Sequence, residues 1–262
     1  MYDAESPRSL EPWPNHMKLF NPDYGSGVFR RRVRVRPADG AVSVDIEDSN
    51  HAFRLVLRHH GARIVAVESE AVRYPFTTCS EAQQSLQRLV GQSIDSAAQL
   101  REILEPRLSC THLSDMAGLA LTSAMDDQHE RLYDIAVEDE RDGRTRARIY
   151  RNDVCVHDWQ ITNHSIVGPA EHAGQTVMRG FYAWARLAFQ GALLEAAVAL
   201  QRGYFVAQSR RYQFVPEVTS GMPEGVCYSY STPIVKRAHL VTGSMRDFSS
   251  SPDALLRFDP PD

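Results

Sequence analysis

The chain has 262 residues, with 29 Lys plus Arg against 33 Asp plus Glu, a formal net charge of −4. Hydrophobic residues make up 43% and charged residues 24%, which excludes a disordered chain, a collagen-like fibre and a strongly basic nucleic-acid arm. Cys79, Cys110, Cys155 and Cys227 form no CxxC pair, so no disulfide scaffold or zinc signature is present, and they read as reduced thiols of a cytoplasmic protein.

Residues 1–27 are rich in Pro, Asn, Asp and Gly and read as an aperiodic, extended lead-in. Met1 to Asn15 has no basic stretch followed by an apolar core, so no signal peptide is expected. One α+β domain is expected over 28–257, with a short tail at 258–262. From Phe29 to Arg36, Val33 and Val35 alternate with Arg32, Arg34 and Arg36, the period of a strand. Pro37-Ala-Asp-Gly40 is a turn. Val42, Val44 and Ile46 then line a second strand, Phe53, Leu55 and Leu57 a third ending at Gly61, and Ile64 to Val72 is a fourth. Such short connections favour an antiparallel meander, because parallel neighbours need long crossovers.

After Pro75 the period becomes helical. Ser80 is a candidate N-cap for a helix with Ala82, Leu86, Leu89 and Val90 on one face, running up to Gly91. Ala97 to Leu104 is a second, short helix stopped by Pro106. Ser109 or Thr111 caps a third, striped by Leu113, Met116, Ala117, Ala120, Leu121 and Ala124. Strands return at Arg131–Glu140 and Thr145–Arg151 around Arg141-Asp-Gly-Arg144, a strong hairpin signal, and Cys155 to Thr162 continues the ladder. A helix is expected over Gly180–Gly203. Its most apolar stretch, Phe181 to Leu200, contains Arg186, Gln190 and Glu195 and is not a membrane span. Strand-like patterns at Val226–Ser231 and Ile234–Val241 precede a Ser- and Pro-rich end. The order implies an α+β fold, antiparallel strand meanders packed with several helices in a single compact module. The two strand blocks suit either one continuous sheet or two related halves.

Arg30, Arg31, Arg32, Arg34 and Arg36 form the only basic run. Without interleaved aromatics, in a net acidic chain, they read as a solvated strand face that discourages edge pairing. Asp48-Ser-Asn-His51 lies at the turn between the second and third strands. An Asp three residues before a His can orient the imidazole and set its tautomer; the same residues also suit an Asx-type turn. In Arg73-Tyr-Pro-Phe-Thr-Thr-Cys79, Arg73 could clamp a carboxylate or phenolate, or instead pair with backbone carbonyls. Tyr74 could donate a proton, and Cys79 reads as a small buried thiol. Cys110-Thr-His112 opens the third helix. As metal ligands the two lack suitably spaced partners, and residues two apart on a helix do not face each other. His112 is therefore read as an acid–base residue near a pocket or as a packing residue. Trp159, Phe181, Tyr182, Trp184, Phe189, Tyr204 and Phe205 explain a core and could also wall an apolar ligand pocket. There is no GxGxxG, Walker loop, GxSxG, HExxH or kinase motif set, so neither a cofactor nor a metal is expected.

Arg73-x-Pro75-x-x-x-Cys79-x-x-Ala82, Leu89-Val-Gly91, Cys110-Thr-His-Leu113 and Gly225-Val-Cys227-Tyr228 resemble a bacterial family catalogued as domain of unknown function 2889. The Asp48–His51 turn and Arg246-Asp-Phe-Ser249 are similar to its pattern too, so the resemblance spans about residues 28–257. It implies one α+β module from a bacterium, no established activity, and an association with catabolism of aromatic or other hydrophobic compounds. The family's second acidic residue before the His is replaced here by Ser49-Asn50.

Together these readings lead to an expected function. It is a cofactor-independent enzyme of bacterial aromatic (lignin-type) catabolism, a lyase that releases a small fragment such as formaldehyde from a phenolic compound by acid–base chemistry. His51 or His112 would move the proton, Tyr74 or Tyr228 would act as acid, and Arg73, Trp159 and Tyr182 would bind substrate. The alternatives are an ester or thioester hydrolase using Cys110 or a serine with His112, and a non-catalytic protein binding a hydrophobic ligand. The expected partner is a small hydrophobic or aromatic ligand, not nucleic acid or a membrane, with a homo-oligomer left open.

Overall fold

Period-two alternation builds one large sheet. The computed structural model describes residues 19–125, 129–213 and 224–258. A two-stranded ribbon pairs β1 (Leu19–Phe20) with β10 (Tyr212–Gln213). The main sheet holds β2 (Val28–Ala38), β3 (Ala41–Asp48), β4 (Ala52–His60), β5 (Arg63–Arg73), β6 (Arg131–Glu138), β7 (Arg144–Arg151), β8 (Val154–Thr162) and β9 (Ser165–Gly168). Its order is β5-β4-β3-β2-β6-β7-β8-β9, antiparallel throughout. Two four-stranded meanders thus join edge to edge through β2 and β6, with Val33 opposite Tyr133.

Among the described residues four α-helices accompany the sheet: α1 (Leu100–Ile103), α2 (Thr111–Met125), α3 (Phe181–Ala188) and α4 (Gly191–Ala207). α2 covers the inner face of β2, β3 and β4, and α4 that of β6, β7 and β8. Each half therefore repeats four strands followed by a covering helix, and the two halves share one continuous sheet. Phe29, Val33, Val44, Ile46, Phe53 and Leu55 form inner rows that share a core with Leu113, Met116 and Ala117 of α2. The outer face carries cross-strand ion pairs, among them Arg54–Glu70, Arg36–Asp45, Arg32–Asp134 and Arg146–Asp158. The fold is α+β and a single compact module. Among the described residues no helix is long and apolar enough to cross a membrane.

Four local expectations need correction. The solvated-face reading fails for Arg31, which has the parity of Phe29 and Val33 and is buried. Residues Cys79–Leu89 form 3-10 turns preceded by Thr78, not an α-helix capped by Ser80. Buried Cys79, Ala82 and Ser85 recur every three residues, the spacing that eclipses on a 3-10 helix. The long helix expected over 180–203 divides at Phe189 and Gln190. Phe189 is extended there, and its ring lies 4.7 Å from His157 and 5.4 Å from Trp184. Segments 226–231 and 234–241 are not strands; 3-10 turns occupy Tyr228–Tyr230 and Ile234–Arg237. Tyr230 and Ser231 donate their N–H groups to the local carbonyls of Cys227 and Tyr228, and Pro233 has none to give. Among the described residues pairing is therefore confined to one antiparallel bridge between Leu240 and Phe76.

Candidate active site

The inner face of the first half ends in a tight turn between β3 and β4. Asp48 donates its backbone N–H to the His51 carbonyl at 2.8 Å. Its Oδ1 accepts from the backbone N–H groups of Asn50 (2.8 Å) and His51 (2.9 Å), and lies 3.3 Å from His51 Nδ1. Asx turn and imidazole orienter are thus one structure. Across the ladder, Arg31 pairs in register with Asp48, so both side chains point inward. Arg31 Nε and Nη2 donate to Asp48 Oδ2 at 2.9 and 2.5 Å. Burial alone would raise the Asp48 carboxyl, but Arg31, His51 and His112 outweigh it and hold it well below the usual carboxylate range.

α2 brings His112 down onto this turn. Its ring lies 3.8 Å from that of His51, tilted by 31°, and 6.2 Å from Phe53. Arg31 Nη2 approaches His112 Nε2 at 3.0 Å. A guanidinium only donates, so His112 Nε2 must accept and the ring proton sits on Nδ1. That Nδ1 is 3.9 Å from Cys110 Sγ, so the two residues do meet, against the expectation from their spacing. Burial first, then the charges of His51 and Arg31, push the His112 imidazolium well below its ordinary range, with Asp48 opposing. His112 is a neutral acceptor.

His51 differs from it. A carboxylate only accepts, so the Asp48 contact places the His51 proton on Nδ1 and leaves the Nε2 lone pair free. That Nε2 has no protein partner among the described residues, and the His51 side chain is 14% exposed against 0% for Asp48. Of the cluster, His51 has the nitrogen that can exchange a proton with a bound molecule.

Arg73, the expected anion clamp, takes the alternative role. Its Nη1 donates to the carbonyls of Ser49 (3.0 Å) and Ser244 (2.7 Å). Its Nη2 donates to Glu47 Oε1 (3.1 Å) and to the carbonyls of Asp48 (2.5 Å) and His51 (3.3 Å). Arg73 therefore braces the turn that carries His51. The Tyr228 hydroxyl donates to Glu81 Oε2 at 2.8 Å, and Glu81 also binds Arg237. Tyr74 packs between the main core and the smaller Phe76–Cys79–Ala238 cluster. Among the described residues no ring contact or hydrogen bond joins either tyrosine to the imidazoles. Trp159 is fully buried beside Phe181 on β8, four strands from β3 and so about 19 Å across the sheet. Tyr182 is exposed on α3. The structure brings His51 and His112 together and leaves the other five expected residues outside the pair.

Sequence reasoning missed Arg31 as a site residue. The signal was its parity: a charged residue at an inward position of an otherwise apolar row. Asp48, His51 and His112 each offer a ligand atom within 4.8 Å of the others, a grouping that could hold a metal ion. Arg31 is poorly compatible with that use, because its guanidinium already engages both Asp48 Oδ2 and His112 Nε2. Two surface hollows, about 520 Å³ over β7 and β8 and about 290 Å³ beside Tyr228 and Arg107, are not lined by either imidazole.

Comparison with curated proteins and with solved structures yields no match. The family comparison does, and it supports the resemblance carried by the motifs in the first half; those at Gly225–Tyr228 and Arg246–Ser249 lie beyond the matched segment. Residues 32–126, which run from β2 to the end of α2 and include Asp48, His51, Arg73 and His112, match the family described as "Protein of unknown function (DUF2889)".

Proposed function

We propose that the protein is a cofactor-independent acid–base enzyme acting on a small aromatic or phenolic compound, with His51 as the residue that moves the proton. One observation carries this reading: His51 is oriented through Nδ1 by a buried carboxylate at 3.3 Å while its Nε2 stays unpartnered. Stacked on it, neutral His112 fills the space where a mobile side chain would let the ring turn. Within this class we favour a lyase. Nε2 would take the hydroxyl proton of a hydroxymethyl group, whose carbon–carbon bond then breaks to release formaldehyde. The electron sink would be a quinone methide, formed when a benzylic hydroxyl para to a phenol leaves with the phenol proton as water. The pair of the broken bond would become a carbon–carbon double bond and restore the ring as a phenolate, and the proton held on Nε2 would pass to that oxygen. Such proton transfers are typically worth about two to four powers of ten in rate. The hydrolase alternative needs a nucleophile, and burial pushes the Cys110 thiol far above its ordinary range, so little thiolate forms.

The test is a product assay on purified protein with a panel of lignin-type phenolic dimers, read by mass spectrometry with a parallel formaldehyde trap. Turnover without added cofactor, unchanged by chelator and reduced about 10²- to 10⁴-fold by His51→Ala, is the expected result. Turnover that survives His51→Ala, or that chelation abolishes, would overturn the reading.

A further inference from the structure

The turn that carries His51 has a second side, away from the imidazoles. Glu47 points outward from β3 yet is fully buried. It receives Arg73 Nη2 at 3.1 Å, Arg246 Nη1 at 3.6 Å and the backbone N–H of Leu256 at 2.7 Å. Two guanidinium groups therefore share one carboxylate. The neighbouring Asp48 does not correct the balance, because Arg31 already neutralises it. Three cations face two anions.

The same neighbourhood concentrates unmet hydrogen-bonding capacity. Arg73 Nε, Arg246 Nε, Ser49 Oγ and Ser244 Oγ are buried atoms without a hydrogen-bond partner. They are neighbours: Arg73 Nη1 bonds the carbonyls of both Ser49 and Ser244, and the Arg246 backbone N–H bonds the Ser49 carbonyl at 2.9 Å. Ser49 and Ser244 are each 4% exposed, so bulk water does not satisfy them. A fifth orphan in the turn, Asn50 Oδ1, is an acceptor and takes no part. Four unused donors beside an excess positive charge are costly when buried, unless an acceptor of negative charge completes them. The Arg246 side chain is 22% exposed and gives the cluster its side towards solvent.

We infer that this cluster is a binding site for a small monovalent anion, of halide or formate size, held by Arg73, Arg246, Ser49 and Ser244. Bound there, the anion would neutralise the surplus charge and clamp the 244–246 segment onto the 48–51 turn. It would thus stiffen the support of His51 without touching its ring. The site stands whether or not the reaction proposed above is correct.

The experiment compares thermal unfolding of the full chain in sodium gluconate with chloride, bromide and formate at equal ionic strength. Small anions should raise the midpoint saturably and gluconate, too large for the site, should not. In Ser244→Ala the bromide concentration for half-effect should rise about tenfold, the loss of one hydrogen bond to a charged group, and Arg246→Ala should abolish the response. Should Arg246→Ala not fold, Ser244→Ala decides. A crystal grown in bromide should show anomalous density within hydrogen-bond reach of both serine hydroxyls. An unfolding midpoint indifferent to the anion, the same response in Ser244→Ala, or water in place of bromide would each overturn the assignment.

Discussion

Each half of the sheet buries charge beneath its own helix, but among the described residues only the first half sets a buried carboxylate against an imidazole. In the first, Arg31 and Asp48 pair across β2 and β3, and His112 descends from α2. In the second, Arg131 and Tyr133 of β6 meet Glu195 of α4. Glu195 accepts from Arg131 Nε (2.7 Å) and Nη2 (3.1 Å), from Tyr133 (2.5 Å) and from Thr122 (3.2 Å). The carboxylate of the second half is engaged by one guanidinium and two hydroxyls, with no imidazole among its partners. Its inward histidine, His157, is tied through Nε2 to the Leu193 carbonyl at 2.9 Å. The rings of His157 and His51 each keep their other nitrogen without a partner among the described residues. What sets His51 apart is that its tied nitrogen faces a buried carboxylate and not a neutral carbonyl. Buried charge alone makes a brace; a buried carboxylate that orients an imidazole and leaves its other nitrogen unspent makes a candidate site.

The largest effect expected from this contrast is on Arg31. Arg31→Met leaves Asp48 buried without its counter-ion and should destabilise by about 3–5 kcal/mol in urea unfolding, while also removing turnover. Arg131→Met should cost a similar or smaller amount, about 3 kcal/mol, because Glu195 keeps some solvent contact. Its turnover per folded molecule should be unchanged. Loss of turnover in both would erase the distinction between the halves.

A smaller effect lies in pH. His112 is held neutral in the fold, so below its unfolded value of about 6.5 the unfolded chain binds the extra proton. Its contribution is full above that value and is lost as pH falls, by up to about 1.4 kcal/mol per pH unit. His157, lowered mainly by burial, acts in the same direction. Denaturant melts between pH 5 and 7 should show the slope reduced more by His112→Asn than by His157→Asn. Asp48 enters only at lower pH, because its depressed carboxyl stabilises the fold above about 3.9 and loses that stability as pH falls through the folded value. The smallest effect is at Arg202, half-exposed and paired with Asp115 at 3.2 Å between α4 and α2. Arg202→Ala should cost about 0.2–1 kcal/mol at about pH 7, read by the same melts.

Much of the first half was legible because its information is local. Alternation at Val33, Val35, Val42, Val44, Ile46 and Phe53 placed three strands, and Asp48 and His51 were recognisable from their spacing alone. The same alternation, applied to Arg31, would have turned it inward. What was not legible depends on long-range pairing. Val28 opposite Glu138 closes a span of more than a hundred residues, and nothing local specifies it. The meeting of His112 with His51 likewise depends on how α2 crosses β3 and β4. Near the C-terminus, apolar residues at 226–241 imitated strands, but the N–H groups of Tyr230, Ser231, Val235, Lys236 and Ala238 close local turns, and only Leu240 pairs, in a single bridge to Phe76.

The central claim is a pair of imidazoles in fixed tautomers, one with its Nε2 spent and one with it free. Long-range proton–nitrogen NMR correlation on the folded protein, with His51→Ala and His112→Asn for assignment, reads it without knowledge of the substrate. The expected spectrum shows both rings protonated on Nδ1, with His112 Nε2 shifted by a hydrogen bond that Arg31→Met removes and His51 Nε2 unaffected by it. A proton on Nε2 of either ring above pH 7.5 would contradict the geometry and the proposed role of His51 with it.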